Sequence, residues 1–100
     1  MNTVNAISKV RFSAAKPRLV TLQKVPGLAV GLLCLQAGQS FPLPPGPCTY
    51  YVITGTASAG CGGSSVPLAP GHSVAVGEGE AHQVSCRGED RVVCLVYRPE

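Results

Sequence analysis

The sequence predicts an all-β fold, a single closed barrel or sandwich, and three observations carry that prediction. Twelve glycines and nine prolines in 100 residues break the chain at short intervals, and such punctuation delimits strands and tight turns, not helices. The runs between the breaks are short and rich in β-branched and aromatic residues, most clearly Thr49-Tyr50-Tyr51-Val52-Ile53-Thr54. Their spacing of about eight to twelve residues is that of a sheet folded on itself.

One hundred residues make one domain. Hydrophobic residues are 45% of the chain and charged residues 13%, a low charge content for a molecule whose whole surface meets water. Apolar patches are therefore expected on the outside, with a second subunit as their cover, so the chain reads as a homodimer. The net charge of +3 comes mainly from the scattered Lys9, Arg11, Lys16, Arg18 and Lys24. No basic face with interleaved aromatics follows from them, and no nucleic-acid partner is expected. The five cysteines, Cys34, Cys48, Cys61, Cys86 and Cys94, are odd in number and lack C-x-x-C spacing, which argues against a full disulfide set or a zinc knuckle. Residues 1–6 lack the apolar stretch of a secretory leader. The longest apolar run, Leu28 to Leu35, falls far short of the ~20 residues that span a bilayer. The expectation is a cytoplasmic protein with no membrane partner and with free thiols.

Residues 1–16 are polar and irregular and read as an N-terminal arm with one short strand near Val10 to Phe12; residues 17–100 read as the barrel domain. Arg18 to Val25 alternates loosely and ends at the turn Pro26-Gly27. Leu28 to Gln36 is apolar on both alternating faces, as in a strand covered on both sides. After the turn at Ala37-Gly38-Gln39, the proline-rich stretch Phe41 to Pro47 belongs at a sheet edge or in a loop, because proline cannot donate to a ladder. Thr49 to Thr54 is a strand closed by Gly55, and Ala57 to Ser65 is a small-residue hairpin region. Val66 to Leu68, Ser73 to Val76, His82 to Cys86 and Arg91 to Tyr97 are further strands, and no helix of normal length is supported.

From Gly71 the chain carries a specific spacing: five residues to Gly77, one to Gly79, two to His82, three to Cys86. This resembles the second motif of the cupin superfamily, G-x5-P-x-G-x2-H-x3-N, with Gly77 for the proline and Cys86 for the asparagine. The likeness is to small single-domain cupins and spans roughly Leu28 to Tyr97. It implies a double-stranded β-helix, or jelly-roll barrel, in which His82 points inward at the start of a strand, where the family's histidine binds a metal. The first cupin motif, G-x5-H-x-H-x3-4-E-x6-G, aligns when Gly55 is taken as its last glycine. Cys48 then occupies the glutamate position, Pro44 the second histidine and Pro42 the first, with Gly38 three residues ahead instead of five.

Proline has no ligating side chain, so the metal site implied by the resemblance is degenerate. His82 and Cys48 remain as candidate ligands, and Cys86 is the route to a third. The cofactor expectation is either none or a divalent transition metal, Zn, Fe, Ni or Cu. Two ligands fall short of the three protein groups of a catalytic zinc site and of the two histidines and carboxylate of a non-haem iron site. His82 therefore has three readings: a residual ligand, a general acid or base assisted by a tyrosine or cysteine in a metal-free pocket, or a relic without a task. Cys48 reads as a soft ligand, a nucleophile, or a small buried hydrophobe filling the vacated glutamate space. Tyr50 and Tyr51 face opposite ways on one strand; with Cys48 inward, Tyr50 is inward too and its hydroxyl can orient a ligand, while Tyr51 packs outside at a subunit interface. His72 reads as an exposed turn residue, Cys34 and Cys94 as packing, and Cys61 as exposed. The function expected is a barrel that binds a small organic molecule lined by His82, Tyr50, Cys48 and Cys86. The alternatives are a metal-dependent enzyme of isomerase or dioxygenase type and a structural or regulatory subunit without a ligand.

Overall fold

The computed structural model describes residues 1–43, 47–77 and 82–99. The strands run in the order β1 (Arg18–Val25), β2 (Leu28–Leu35), β3 (Ser40–Leu43), β4 (Cys48–Thr54), β5 (Ala57–Cys61), β6 (Ser64–Leu68), β7 (Ser73–Val76), β8 (His82–Cys86) and β9 (Val92–Arg98). All pair antiparallel, in a five-stranded sheet ordered β1-β2-β9-β4-β7 and a four-stranded sheet ordered β3-β8-β5-β6. The chain thus passes repeatedly from one sheet to the other, which is the double-stranded β-helix. Among the described residues no helix is long and apolar enough to cross a membrane.

Alternation along each strand decides what lies between the sheets. Leu33 and Leu35 of β2, Val92, Cys94 and Val96 of β9, Tyr50 and Val52 of β4, Ala57 and Ala59 of β5 and Val84 of β8 form one buried cluster in the barrel. Leu32, Cys34 and Val93 take the opposite face and form a second cluster with Val10, Phe12, Val20 and Ile53. That cluster corrects the expectation of a strand at Val10 to Phe12. The arm instead makes a 3-10 turn at Ile7–Lys9 and then lies over the five-stranded sheet. A sheet face has no free backbone groups to offer, so the arm packs there through apolar side chains and forms no ladder.

Two local choices in the sequence have visible consequences. Pro42 lies in β3, an edge strand of its sheet, where its missing N–H does not interrupt the ladder. The region Ala57 to Ser65 supplies all of β5 and the start of β6, which turn at Gly62 and Gly63 and pair from Cys61 with Ser64 to Ala57 with Leu68. β6 therefore starts two residues earlier than its β-propensity suggests, because pairing to β5 holds serines that would not form a strand alone. Gly55, at the end of β4, has φ +88°, and a Cβ there would lie 2.9 Å from the Cα of Val92. This glycine permits the close crossing of the β4–β5 turn under the start of β9.

Candidate functional site

His82 opens β8, flanked in its sheet by Leu43 of β3 and Cys61 of β5. The inward row of β8 runs His82, Val84, Cys86, and all three are buried. Facing it from the other sheet is the inward row of β4, in which Cys48 and Tyr50 stand two residues apart on one side of the strand. The Tyr50 hydroxyl hydrogen-bonds His82 Nε2. Cys48 Sγ lies 3.3 Å from the same nitrogen. The phenol and imidazole rings meet edge to face, 5.4 Å between centroids and 69° between planes.

Tyr50 is wholly buried. Burial pushes its phenol pKa far above the usual range, and a hydrogen bond to the Cys48 side chain adds to the rise. The phenol is therefore a neutral O–H donor at any physiological pH. In this bond the phenol donates when the imidazole proton is on Nδ1 and accepts when it is on Nε2. One end of the barrel thus holds a phenol and a thiol against a single imidazole nitrogen, above an interior of Val52, Val84 and Val96.

The structure brings His82, Tyr50 and Cys48 together and leaves Cys86 apart. Cys86 stands four residues along β8, about 13 Å at 3.3 Å per residue. Its thiol is directed to the carbonyl oxygens of Asp90 at 3.2 Å and Gly88 at 3.6 Å. The cluster of Cys48, His82 and Cys86 expected from the sequence is therefore not assembled. Pro42 also moves: it pairs with exposed Gln83, while its neighbour Phe41, opposite Val84, packs on the core. The inward row of β3 passes through Phe41, and counting one residue off exchanges the faces of a strand. Pro44 and Gly79 lie outside the described residues. His72 is exposed at a turn, where its Nδ1 accepts the backbone N–H of Ala69 at 3.0 Å.

Cys61 was not singled out by the sequence reading, and its placement corrects the expectation of an exposed residue. It ends β5 half-buried and directly opposite His82. The signal was available in the alternation Ala57, Ala59, Cys61, which puts all three on one face. Cys61 and His82 line an open cavity of about 450 Å³ with Pro42, Gly60 and Gln83, and Cys48 lines another of about 290 Å³ with Pro47, Thr49 and Tyr97.

These donors do not fit the metal centre implied by the resemblance. His82 Nε2 already meets two protein groups, and β3 turns a phenylalanine inward where that centre needs a ligand. Among the described residues no group of three histidine, cysteine, aspartate or glutamate side chains is placed to hold a metal ion.

No protein-family model and no curated protein matches the chain. Solved structures do. A protein from Thermus thermophilus superposes with a TM-score of 0.89 at 19% identity, covering 99% of this chain and 98% of that one. An uncharacterized conserved protein with a double-stranded β-helix domain from Klebsiella pneumoniae gives 0.86 at 20% identity, covering 99% and 90%. A cupin superfamily protein from Desulfitobacterium hafniense gives 0.80 at 16% identity, covering 98% and 90%. At such identities the likeness shows the fold, and function rests on the site.

Proposed function

We propose that this chain, a small single-domain cupin by fold, binds a small organic molecule at the end of its barrel where His82, Tyr50 and Cys48 meet. One observation carries the reading: a phenol and a thiol from one sheet converge on a buried imidazole nitrogen from the other, within an otherwise apolar interior. A core built only for stability gains nothing from burying an imidazole and a phenol, since each must find a partner to offset its lost hydration. A few convergent polar groups against apolar walls are what a small-molecule site requires. The donor set favours a metal-free site over the metal-dependent isomerase or dioxygenase alternative. An imidazole with its lone pair beside a phenol O–H suits proton transfer to or from a bound carbonyl or hydroxyl compound. The outward Tyr51 and Tyr97, 41% and 40% exposed, support a homodimer formed over that face.

The test is a ligand-observed NMR screen of small polar metabolites against protein purified without an affinity tag, with elemental analysis of the same sample. Saturable binding that shifts the His82 ring signals, and is lost in Tyr50→Phe and His82→Ala variants of unchanged fold, is the expected result. Stoichiometric zinc, iron, nickel or copper that disappears in His82→Ala would replace this reading with the metal-dependent one. Binding that leaves the His82 signals unmoved would place the ligand elsewhere.

A further inference from the structure

We propose that Cys48 is a nucleophilic thiol that adds to small α,β-unsaturated carbonyl compounds, with His82 taking its proton. The inference rests on the reading of this corner as a small-molecule site and names the substrate class. Its starting point is the 3.3 Å approach of Cys48 Sγ to His82 Nε2. A thiol within hydrogen-bond reach of an imidazole is the arrangement that generates a thiolate nucleophile. Tyr50 supplies the second element. Its hydroxyl reaches the same nitrogen and also hydrogen-bonds the Cys48 side chain, and as a permanently neutral O–H donor it can hold negative charge on sulfur. The thiolate would thus be held by an imidazolium N–H and a phenol O–H together.

The other thiols lack these features. Cys34 and Cys94 are fully buried, and burial drives their pKa values up. The Cys86 thiol is committed to the carbonyls of Gly88 and Asp90. Cys61 is the competitor, since it is more accessible and lies across from His82.

The step balances within the site. The Cys48 S–H proton passes to Nε2, and sulfur forms a bond to the β-carbon of the unsaturated carbonyl. The carbon–carbon π pair moves to give an enolate, and the enolate α-carbon takes the proton back from Nε2. The product is a thioether, the imidazole returns neutral, and no oxidant or reductant enters. Addition to a conjugated carbonyl fits because a thiolate is a soft nucleophile and the reaction releases no leaving group that the barrel must expel. The electrophile must be small, because Cys48 is 8% exposed and His82 7%, with Val52, Val84 and Val96 closing the interior beneath them.

The test is a time course of methyl vinyl ketone with the reduced, folded full chain, read by intact mass and peptide mapping. Cys48 is expected to be the first residue modified, about tenfold faster than Cys61 and about tenfold faster than Cys48 of the same chain unfolded in urea. His82→Gln should remove that enhancement, Tyr50→Phe should reduce it severalfold, and Cys86→Ala should leave it unchanged, each variant first shown to be folded by its melting curve. The comparison of folded with unfolded wild type decides the matter even if a variant does not fold. Cys61 reacting first, or Cys48 reacting no faster folded than unfolded, overturns the proposal. Butan-2-one, the saturated analogue, separates the two readings. A saturable shift of the His82 signals by butan-2-one with no adduct from methyl vinyl ketone ends the nucleophile and keeps the binding site, and neither shift nor adduct ends both.

Discussion

Over Leu32 to Leu35 both faces of β2 are fully buried, but two different devices bury them. Leu33 and Leu35 point into the barrel and Leu32 and Cys34 point out of it, and all four have no exposed surface. The inner pair is closed by the second sheet, whose strands are held to one another by continuous ladders. The outer pair is closed by the arm, which contributes Val10 and Phe12. A few side-chain contacts hold the arm in place. Gln39 Nε2 donates to the Ser13 carbonyl at 2.7 Å, Gln23 Nε2 donates to the Asn2 carbonyl at 2.9 Å, and the Arg91 guanidinium sits 4.8 Å from the Phe12 ring centroid. The difference teaches that a strand apolar on both faces does not by itself call for a second subunit. Part of the cover is the chain's own N-terminal segment, and only the uncovered remainder is left for a partner.

The comparison is broken most directly by equal truncations on the two faces. Leu33→Ala leaves a void framed by two laddered sheets that cannot close on it, and should cost about 4 kcal/mol of unfolding free energy. Leu32→Ala leaves its void under an arm that can settle inward, so about 2 kcal/mol is expected. Urea denaturation of both variants measures the pair. Equal costs, or a larger one for Leu32→Ala, would show that the arm is as rigid a wall as the second sheet.

The two faces also differ in their buried thiols. Cys94, on the inner face, is pushed by burial from an ordinary 9.0 to about 12. Cys34, on the outer face, is raised by burial too, but the Arg11 backbone N–H and the charges of Arg18 and Arg11 counteract the rise. In both cases the folded thiol holds its proton when the unfolded thiol has lost it. For Cys94 the stabilisation is therefore complete below pH 9 and is lost as pH climbs from 9.0 toward 12. Cys94 alone should contribute a slope of about 1.4 kcal/mol per pH unit across that window, or roughly 2 to 3 kcal/mol by pH 11. Tyr50, raised in the same sense, steepens the loss above its ordinary pKa of about 10. Cys94→Val should flatten the curve between pH 9 and 10.5, and Cys34→Val should change it less. Denaturant midpoints measured across this range check both, and a Cys34→Val effect equal to that of Cys94→Val would erase the distinction between the faces.

Most of the barrel was legible because strands and turns leave local marks. Pro26-Gly27, Gly55 and Pro70-Gly71 bound their strands where expected, and Tyr50 and Tyr51 divide between inside and outside as alternation requires. The spacing from Gly71 to His82 placed the imidazole at the start of β8, facing Cys48 and Tyr50. What was not legible depends on pairing between distant residues. The row of β3 that faces the core is set by its register with β8, and a count from Gly55 lands one residue away, on Pro42 and not Phe41. Cys61 looks like a hairpin tip until β8 pairs with it, and Cys86 shares the inward row of His82 yet stands at its far end. The strand-like run at Val10 to Phe12 misled, because the arm packs on the sheet face through apolar side chains and pairs with no strand.

The smallest expected effect on stability comes from the part of the outer face that the arm does not reach. There Tyr51 is paired with Leu95 and Thr49 with Tyr97, and the two tyrosine rings stand about two-fifths exposed with Leu28, 41% exposed, near the start of β2. A second copy of this face would bury aromatic surface at little entropic cost, since each tyrosine has only two side-chain torsions to fix. Tyr51→Lys together with Tyr97→Lys should change the unfolding free energy of the isolated chain by no more than about 0.5 kcal/mol, because neither ring supports the barrel interior. The same pair of lysines should weaken self-association by about a hundredfold or more, through lost area and like charges brought face to face. Melting curves read the first claim and sedimentation velocity at micromolar concentration the second. A dimer in the wild type and a monomer in the variant, with matching melting curves, would assign the uncovered half of the sheet to a partner copy. A wild-type monomer would instead mean that the arm completes the cover and that the two tyrosines are ordinary surface residues.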